Sequence, residues 1–286
     1  MTQEANRVED PSGILNEDDH QRDMTQVQME VHKLARPSPS ITRLTGRLID
    51  SDPEQWTKPN LALRIEVESP EAARPITRVY TVRSFDAARK LVEIDFVMHE
   101  DDSPAMRWLE NTRVGDRAWL TGPRPHFVPP FTDGKRAALF ADDTAIPAIH
   151  AILSSWPDGI AGAVWVDTDD EAAFDSLPKV SGVDMTLLRR TKEEPAGTTR
   201  RLFKAARALE DPQEWTIWAA GERTEMRDLR KHFRGLKIAR DALQVVGYWK
   251  YGASSSELDR ERLANYEKGR AQGLRLEQIM DSEEAV

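Results

Sequence analysis

The apolar pattern of this chain changes period once, at the loop Val128-Pro-Pro-Phe-Thr-Asp-Gly134, and that change limits the fold more than any other feature. Before the loop, short alternating segments at 44–49, 61–67, 78–83, 91–99 and 116–120 lie between turn residues and read as strands. A single helix is predicted over Pro104–Asn111. Five or so strands with one interposed helix predict a small antiparallel barrel. After the loop, strand patterns at 137–141, 163–166, 185–188, 215–219 and 244–248 are interleaved with helical spacing. Ile146, Ile149, Ile152, Leu153 and Trp156 carry one helix, and segments 202–209 and 226–233 carry two more. This rhythm predicts a parallel sheet covered on both faces. The predicted layout is a β-barrel domain over 41–130, an α/β domain over 131–252 and a helical extension over 253–286 that opens on the capping box Ser254-x-x-Glu257. Residues 1–40 are polar and acidic, end in Arg36-Pro-Ser-Pro-Ser40, and are expected to be a disordered tail.

Cysteine is absent, which excludes disulfides, thiol nucleophiles and thiolate metal sites. The six histidines are scattered without ligand spacing, so no intrinsic metal centre is expected. Redox chemistry on such a chain needs an organic cofactor. A net charge of −9 opposes broad nucleic-acid binding. No apolar run approaches the roughly 20 residues of a membrane span, and the N-terminus lacks a signal-peptide core. The cytoplasm is the expected compartment, with no membrane partner.

Candidate chemistry begins at Arg78-Val-Tyr80-Thr81-Val-Arg83. On a strand, Arg78, Tyr80 and Val82 share one face and Thr81 and Arg83 the other. An arginine beside a tyrosine can pair a phosphate and pack a flat ring; ordinary aromatic packing on a polar strand is the alternative. Asp95-Phe-Val-Met-His99 follows, then the helix start Ser103-Pro104-Ala105, whose free N–H groups suit a pyrophosphate. Asp142-Asp-Thr144-Ala145-Ile-Pro147-Ala joins the first strand of the second domain to its helix, and Ala220-Gly221-Glu222 repeats that geometry at a later strand end. The carboxyl ends of parallel strands are where ligands are expected.

The ordered series R-x-Y-T-x-R, D-F-V-x-H, P-A-x-x-W, G-D, G-P-R, D-x-T-A-x-P-A, A-G-E and Gly247-Tyr-Trp-Lys-Tyr-Gly252 resembles the siderophore-interacting proteins. That family consists of FAD-dependent ferric-siderophore reductases. The resemblance implies a ferredoxin-reductase-like fold, with FAD on the barrel and NADPH or NADH on the second domain. It implies hydride transfer to FAD and then single-electron reduction of Fe(III) to Fe(II). Carried over by motif, Arg78, Tyr80, Thr81 and Arg83 would hold the isoalloxazine and phosphates. Asp95, Val97 and His99 would line the ribityl and diphosphate side, with Ser103, Pro104 and Ala105 under the diphosphate. Thr144, Ala145 and Pro147 would border the nicotinamide, Gly221 and Glu222 the second-domain cleft, and Trp249 the flavin. The loop Glu100-Asp-Asp-Ser103 departs from the glycines usual in the family.

No acid–base residue is assigned, because outer-sphere iron reduction needs none. Arg124 and Lys250 are the candidates for holding an anionic ferric siderophore, with Lys135 and Arg136 behind them. The acidic run 167–171 favours NADH while the basic helix around Arg227, Arg230 and Lys231 favours NADPH, so the donor stays open, an electron-carrier protein included. Three classes remain at this point: a ferric-siderophore reductase, a flavin reductase with another acceptor, and a non-enzymatic siderophore-binding protein.

Overall fold

The structure is a computed structural model. It describes residues 25–69, 75–98, 102–191 and 193–254 and, further on, positions 257, 261, 264, 265, 267–269 and 271–274. Six strands close the first domain: β1 (Thr25–Ser38), β2 (Ile41–Ile49), β3 (Leu61–Glu68), β4 (Ile76–Asp86), β5 (Leu91–Val97) and β6 (Arg117–Pro125). Around the barrel they run β1-β2-β5-β4-β3-β6, every pair antiparallel. Helix α1 (Pro104–Asn111) packs Ala105, Met106 and Leu109 onto the barrel core. Closure leaves no unpaired sheet edge, which is how a small antiparallel sheet avoids templating further strands.

Residues 25–38 correct the expectation of a disordered tail. Val27, Met29 and Val31 alternate with Gln26, Gln28 and Glu30, and the three apolar side chains are buried. β1 pairs with β2 on one side and with β6 on the other, so it closes the barrel. The period-2 signal was present; the polar composition of the N-terminus obscured it.

The second domain is a parallel sheet in the order β11-β10-β7-β8-β9, built from β7 (Arg136–Asp142), β8 (Gly162–Thr168), β9 (Val183–Arg189), β10 (Trp215–Glu222) and β11 (Leu243–Trp249). β7 and β10 are central and almost wholly apolar, as two-sided burial requires. Helices α2 (Ile146–Ser154) and α3 (Glu171–Asp175) cover one face, and α4 (Arg201–Arg207) and α5 (Arg223–Gly235) the other. Ser254 and Glu257 form the predicted capping box, with Ser254 N donating to Glu257 Oε2 at 2.7 Å and Glu257 N to Ser254 Oγ at 3.2 Å. Among the described residues, no helix is long and apolar enough to cross a membrane.

The domains meet through polar bonds as well as packing. Ser40 donates its N–H and hydroxyl to Asp170, the N-cap of α3, at 2.8 and 2.5 Å. The Trp218 indole donates to the Phe127 carbonyl at 2.9 Å.

Candidate functional site

Strand β4 supplies the first part of the site. Arg78 and Tyr80 lie opposite Ile65 and Leu63 of β3, on the barrel side, while Thr81 and Arg83 face outward. The Tyr80 ring is 4.3 Å from Phe96, and Phe96 stacks at 5.8 Å on Trp108 of α1. Because β4 and β5 are antiparallel, Arg78 lies further toward the end where β5 leads into α1. There α1 starts with Ser103 as N-cap and Pro104 in its first turn, and the Ser103 side chain makes no capping bond. Val97 is half-buried opposite Ile41. His99, Glu100 and Asp101 lie outside the described residues. Asp102 is ion-paired with Arg107 at 3.3 Å.

The outward face of β4 is an interdomain wall. Arg83 is 3% exposed and ion-paired with Asp95 at 3.2 Å, while Arg43 reaches the same carboxylate at 2.6 Å. Both Asp95 oxygens accept from arginines, so the carboxylate itself is committed to this wall. Arg83 is likewise committed, with Ser176 Oγ at 3.5 Å on the second domain. Its carbonyl meets His150 Nδ1 of α2 at 3.2 Å. Burial, then the Arg83 charge, pulls His150 down to about 4, so the ring is neutral near pH 7 and donates through Nδ1. Thr81 and Asn60 hydrogen-bond the Tyr248 hydroxyl, whose pKa burial pushes up.

The carboxyl edge of the parallel sheet forms the second part. Asp142 ends β7 and accepts from Thr144 N at 3.0 Å, Thr144 Oγ1 at 2.6 Å and Trp249 Nε1 at 2.7 Å. Burial raises its pKa to about 6 against the pull of these donors. Gly221 stands beside it; a Cβ there would come 2.7 Å from the Asp142 carboxylate. Ala145 and Pro147 are buried beneath this loop and give it shape rather than contact surface. Glu222, at the end of β10, accepts from Glu225 N at 2.9 Å through Oε2 and from Tyr251 N at 3.3 Å through Oε1. A carboxylate capping α5 is favoured by the helix dipole. Asp167, in the run thought to discriminate NADH from NADPH, is buried against Arg190 at 3.3 Å and Thr199 at 2.7 Å. Lys250 is ion-paired with Glu261 at 3.0 Å, whereas Arg124 is exposed at the end of β6.

Sequence reasoning missed Asp142, Asn60, Tyr248, His150 and Arg43. Only Asp142 and Tyr248 lay within quoted motifs; the others carried no local signal.

FAD needs a cation or helix start for its pyrophosphate, an aromatic or apolar face for its ring, and hydrogen-bonding side chains at the ring edge. Arg78, the start of α1 and Tyr80 supply the cation, the helix start and the aromatic face, so the barrel fits the group. The family models agree on where it belongs. Residues 23–127 match the siderophore-interacting FAD-binding domain, and residues 135–252 match the siderophore-interacting protein model. The chain belongs to the siderophore-interacting protein family. It is 42% identical to ferric acinetobactin reductase of Acinetobacter baumannii over 98% of each chain. It is 29% identical to ferric vibriobactin reductase of Vibrio cholerae over 66% of this chain and 70% of that one. The solved siderophore-interacting protein of A. baumannii superposes with a TM-score of 0.84 at 42% identity, covering 88% of this chain and 100% of that one. The ferredoxin reductase of carbazole 1,9a-dioxygenase, 16% identical with a TM-score of 0.58 over 79% of this chain and 70% of that one, shares the fold.

Proposed function

We propose that this protein is an FAD-dependent ferric-siderophore reductase, with NAD(P)H as hydride donor and a ferric siderophore as substrate. The observation that carries this reading is the likeness to ferric acinetobactin reductase across both domains. FAD, when bound, supplies the conversion from a two-electron donor to one-electron acceptors: hydride in from a nicotinamide, single electrons out to chelated Fe(III). The protein's own part is positional. Arg78 and the start of α1 supply charge for a pyrophosphate, and Tyr80, backed by the buried Phe96, an aromatic face. The Asp95–arginine wall holds the second domain against β4. His150, neutral at pH 7, adds no charge to that wall.

Arg124 is our candidate for an anionic chelate, because it is exposed and outside any ion pair among the described residues. Lys250 serves only when Glu261 releases it. Opposite charges about 6 Å apart at an effective dielectric near 20 attract by roughly 3 kcal/mol before desolvation and screening. The site is proposed to work in the cytoplasm, where NAD(P)H is supplied.

The purified protein should be yellow, bleach anaerobically with NADPH or NADH, and then release Fe(II) from a ferric catecholate to a ferrous-selective chromophore. A colourless protein that takes up no added FAD would refute the reading. Arg78→Ala should lower flavin occupancy without unfolding the protein. Arg124→Ala should weaken chelate binding and its salt dependence without altering flavin content.

A further inference from the structure

The parallel sheet winds outward from its middle, β7-β8-β9 to one side and β10-β11 to the other, so the strand order reverses between β7 and β10. In sheets of this order a dinucleotide lies across the reversal, and its adenosine ribose meets the end of the second strand. Here that strand is β8, which ends in Asp167-Thr168, with Asp169 next. An acid at that place accepts from the ribose 2′-hydroxyl of NAD, whereas a free arginine nearby holds the 2′-phosphate of NADP.

Four arginines stand around this corner, and each is already paired. Arg190, 6% exposed, meets Asp143 at 2.5 Å and both Asp167 and Asp169 at 3.3 Å. Arg189 pairs with Glu171, Arg200 with Asp228 at 2.7 Å and Arg201 with Glu194 at 2.8 Å. One guanidinium among three carboxylates leaves no positive charge over for a phosphate monoester, which itself carries about −1.5 to −2 near neutral pH. The basic helix α5 does not make up the lack. It follows β10, on the far side of β7 from β8, and Arg227, Arg230 and Lys231 lie about 6–12 Å along it from its start.

Asp169 differs from the other acids of the run. Its side chain is 35% exposed, its Oδ1 accepts from Arg190, and no bond to its Oδ2 occurs among the described residues. Arg190 in turn has a buried Nε without a hydrogen-bond partner. A ribose diol both donates and accepts, so an open carboxylate oxygen beside an open N–H suits it. A phosphate dianion only accepts, and the surrounding acids repel it.

We propose that Asp169 selects NADH over NADPH: its open oxygen accepts from the adenosine 2′-hydroxyl, and with Asp143 and Asp167 it keeps Arg190 from serving a 2′-phosphate. This rests on the reading of the protein as a nicotinamide-linked flavoenzyme and names the donor which that reading leaves open.

The test uses the full-length holoprotein and calorimetric binding of NAD+ and NADP+ to wild type, Asp169→Ala and Asp169→Asn. Wild type should bind NAD+ about ten-fold or more tighter than NADP+, the worth of one hydrogen bond to a charged group. Equal affinities, or tighter NADP+, overturn the proposal. In Asp169→Ala the ratio should fall about ten-fold, through weaker NAD+ and tighter NADP+ together; an unmoved ratio overturns it. If Asp169→Ala does not fold, Asp169→Asn must lower the ratio about three-fold, because it keeps the shape and removes the charge, and an unmoved ratio there overturns it. Displacement of NAD+ by 5′-AMP and by adenosine 2′,5′-bisphosphate locates the effect: 5′-AMP should compete better in wild type, and equal competition overturns the assignment to the ribose. If neither nucleotide binds and neither NADH nor NADPH bleaches the flavin, the nicotinamide reading fails and this selectivity with it. If NADPH binds and bleaches as well as NADH, this inference alone fails.

Discussion

Asp95 in the barrel and Asp142 in the parallel sheet are equally buried, each 4% exposed, yet the protein keeps them by opposite means. Asp95 is held by two arginines, one from a neighbouring strand of its own barrel on either side, and that cluster forms the wall against the second domain. Asp142 has only neutral donors, Thr144 and the Trp249 indole. The first arrangement suits a fixed joint. The second leaves a buried carboxylate whose ionisation burial opposes. Burial alone does not tell them apart; the charge of the partner does.

The largest test of this contrast is Asp95→Ala, which leaves Arg83 buried without its counter-charge. Removing one partner of such a pair costs about 3–5 kcal/mol. The midpoint of urea unfolding should fall accordingly, and a loss under about 1 kcal/mol would mean that the wall is not what holds the joint.

The next test is pH. The folded pKa of Asp142, about 6, lies above its ordinary 3.8. Its contribution is therefore fully present below about pH 4 and is lost as pH rises through 6, by up to about 3 kcal/mol. His150 has the opposite sign: its folded value of about 4 lies below 6.5, so its contribution is present above 6.5 and is lost as pH falls toward 4. Unfolding free energy measured from pH 4 to 7 should, relative to wild type, tilt upward with pH in Asp142→Asn and downward in His150→Gln. Parallel curves for both variants and wild type would remove the electrostatic half of the comparison.

A smaller effect is expected from Gly221→Ala. The added Cβ would stand 2.7 Å from the Asp142 carboxylate, so that loop must shift, at about 2 kcal/mol. The shift should show as a lower Tm. An unchanged Tm would mean that the edge is looser than the barrel wall by more than the bonding suggests.

Much of the fold was legible in the sequence, because element type follows from local periodicity. The barrel-then-sheet order, α1 with Pro104 in its first turn, and the capping box at Ser254 all rest on residues within a few positions of one another. The closing strand β1 was legible too, in Val27, Met29 and Val31, but its polar alternate positions made it resemble a tail until β2 and β6 supplied partners. The family motif was likewise written in the chain. Where the buried charges go was not. Arg43 meets Asp95 from 52 positions away and Trp249 meets Asp142 from 107. A carboxylate quoted in a motif reads the same whether it will face a ligand, cap a helix as Glu222 does, or sit between two arginines. Only packing decides, because the cost of desolvating a charge depends on which groups the whole fold brings within hydrogen-bonding distance.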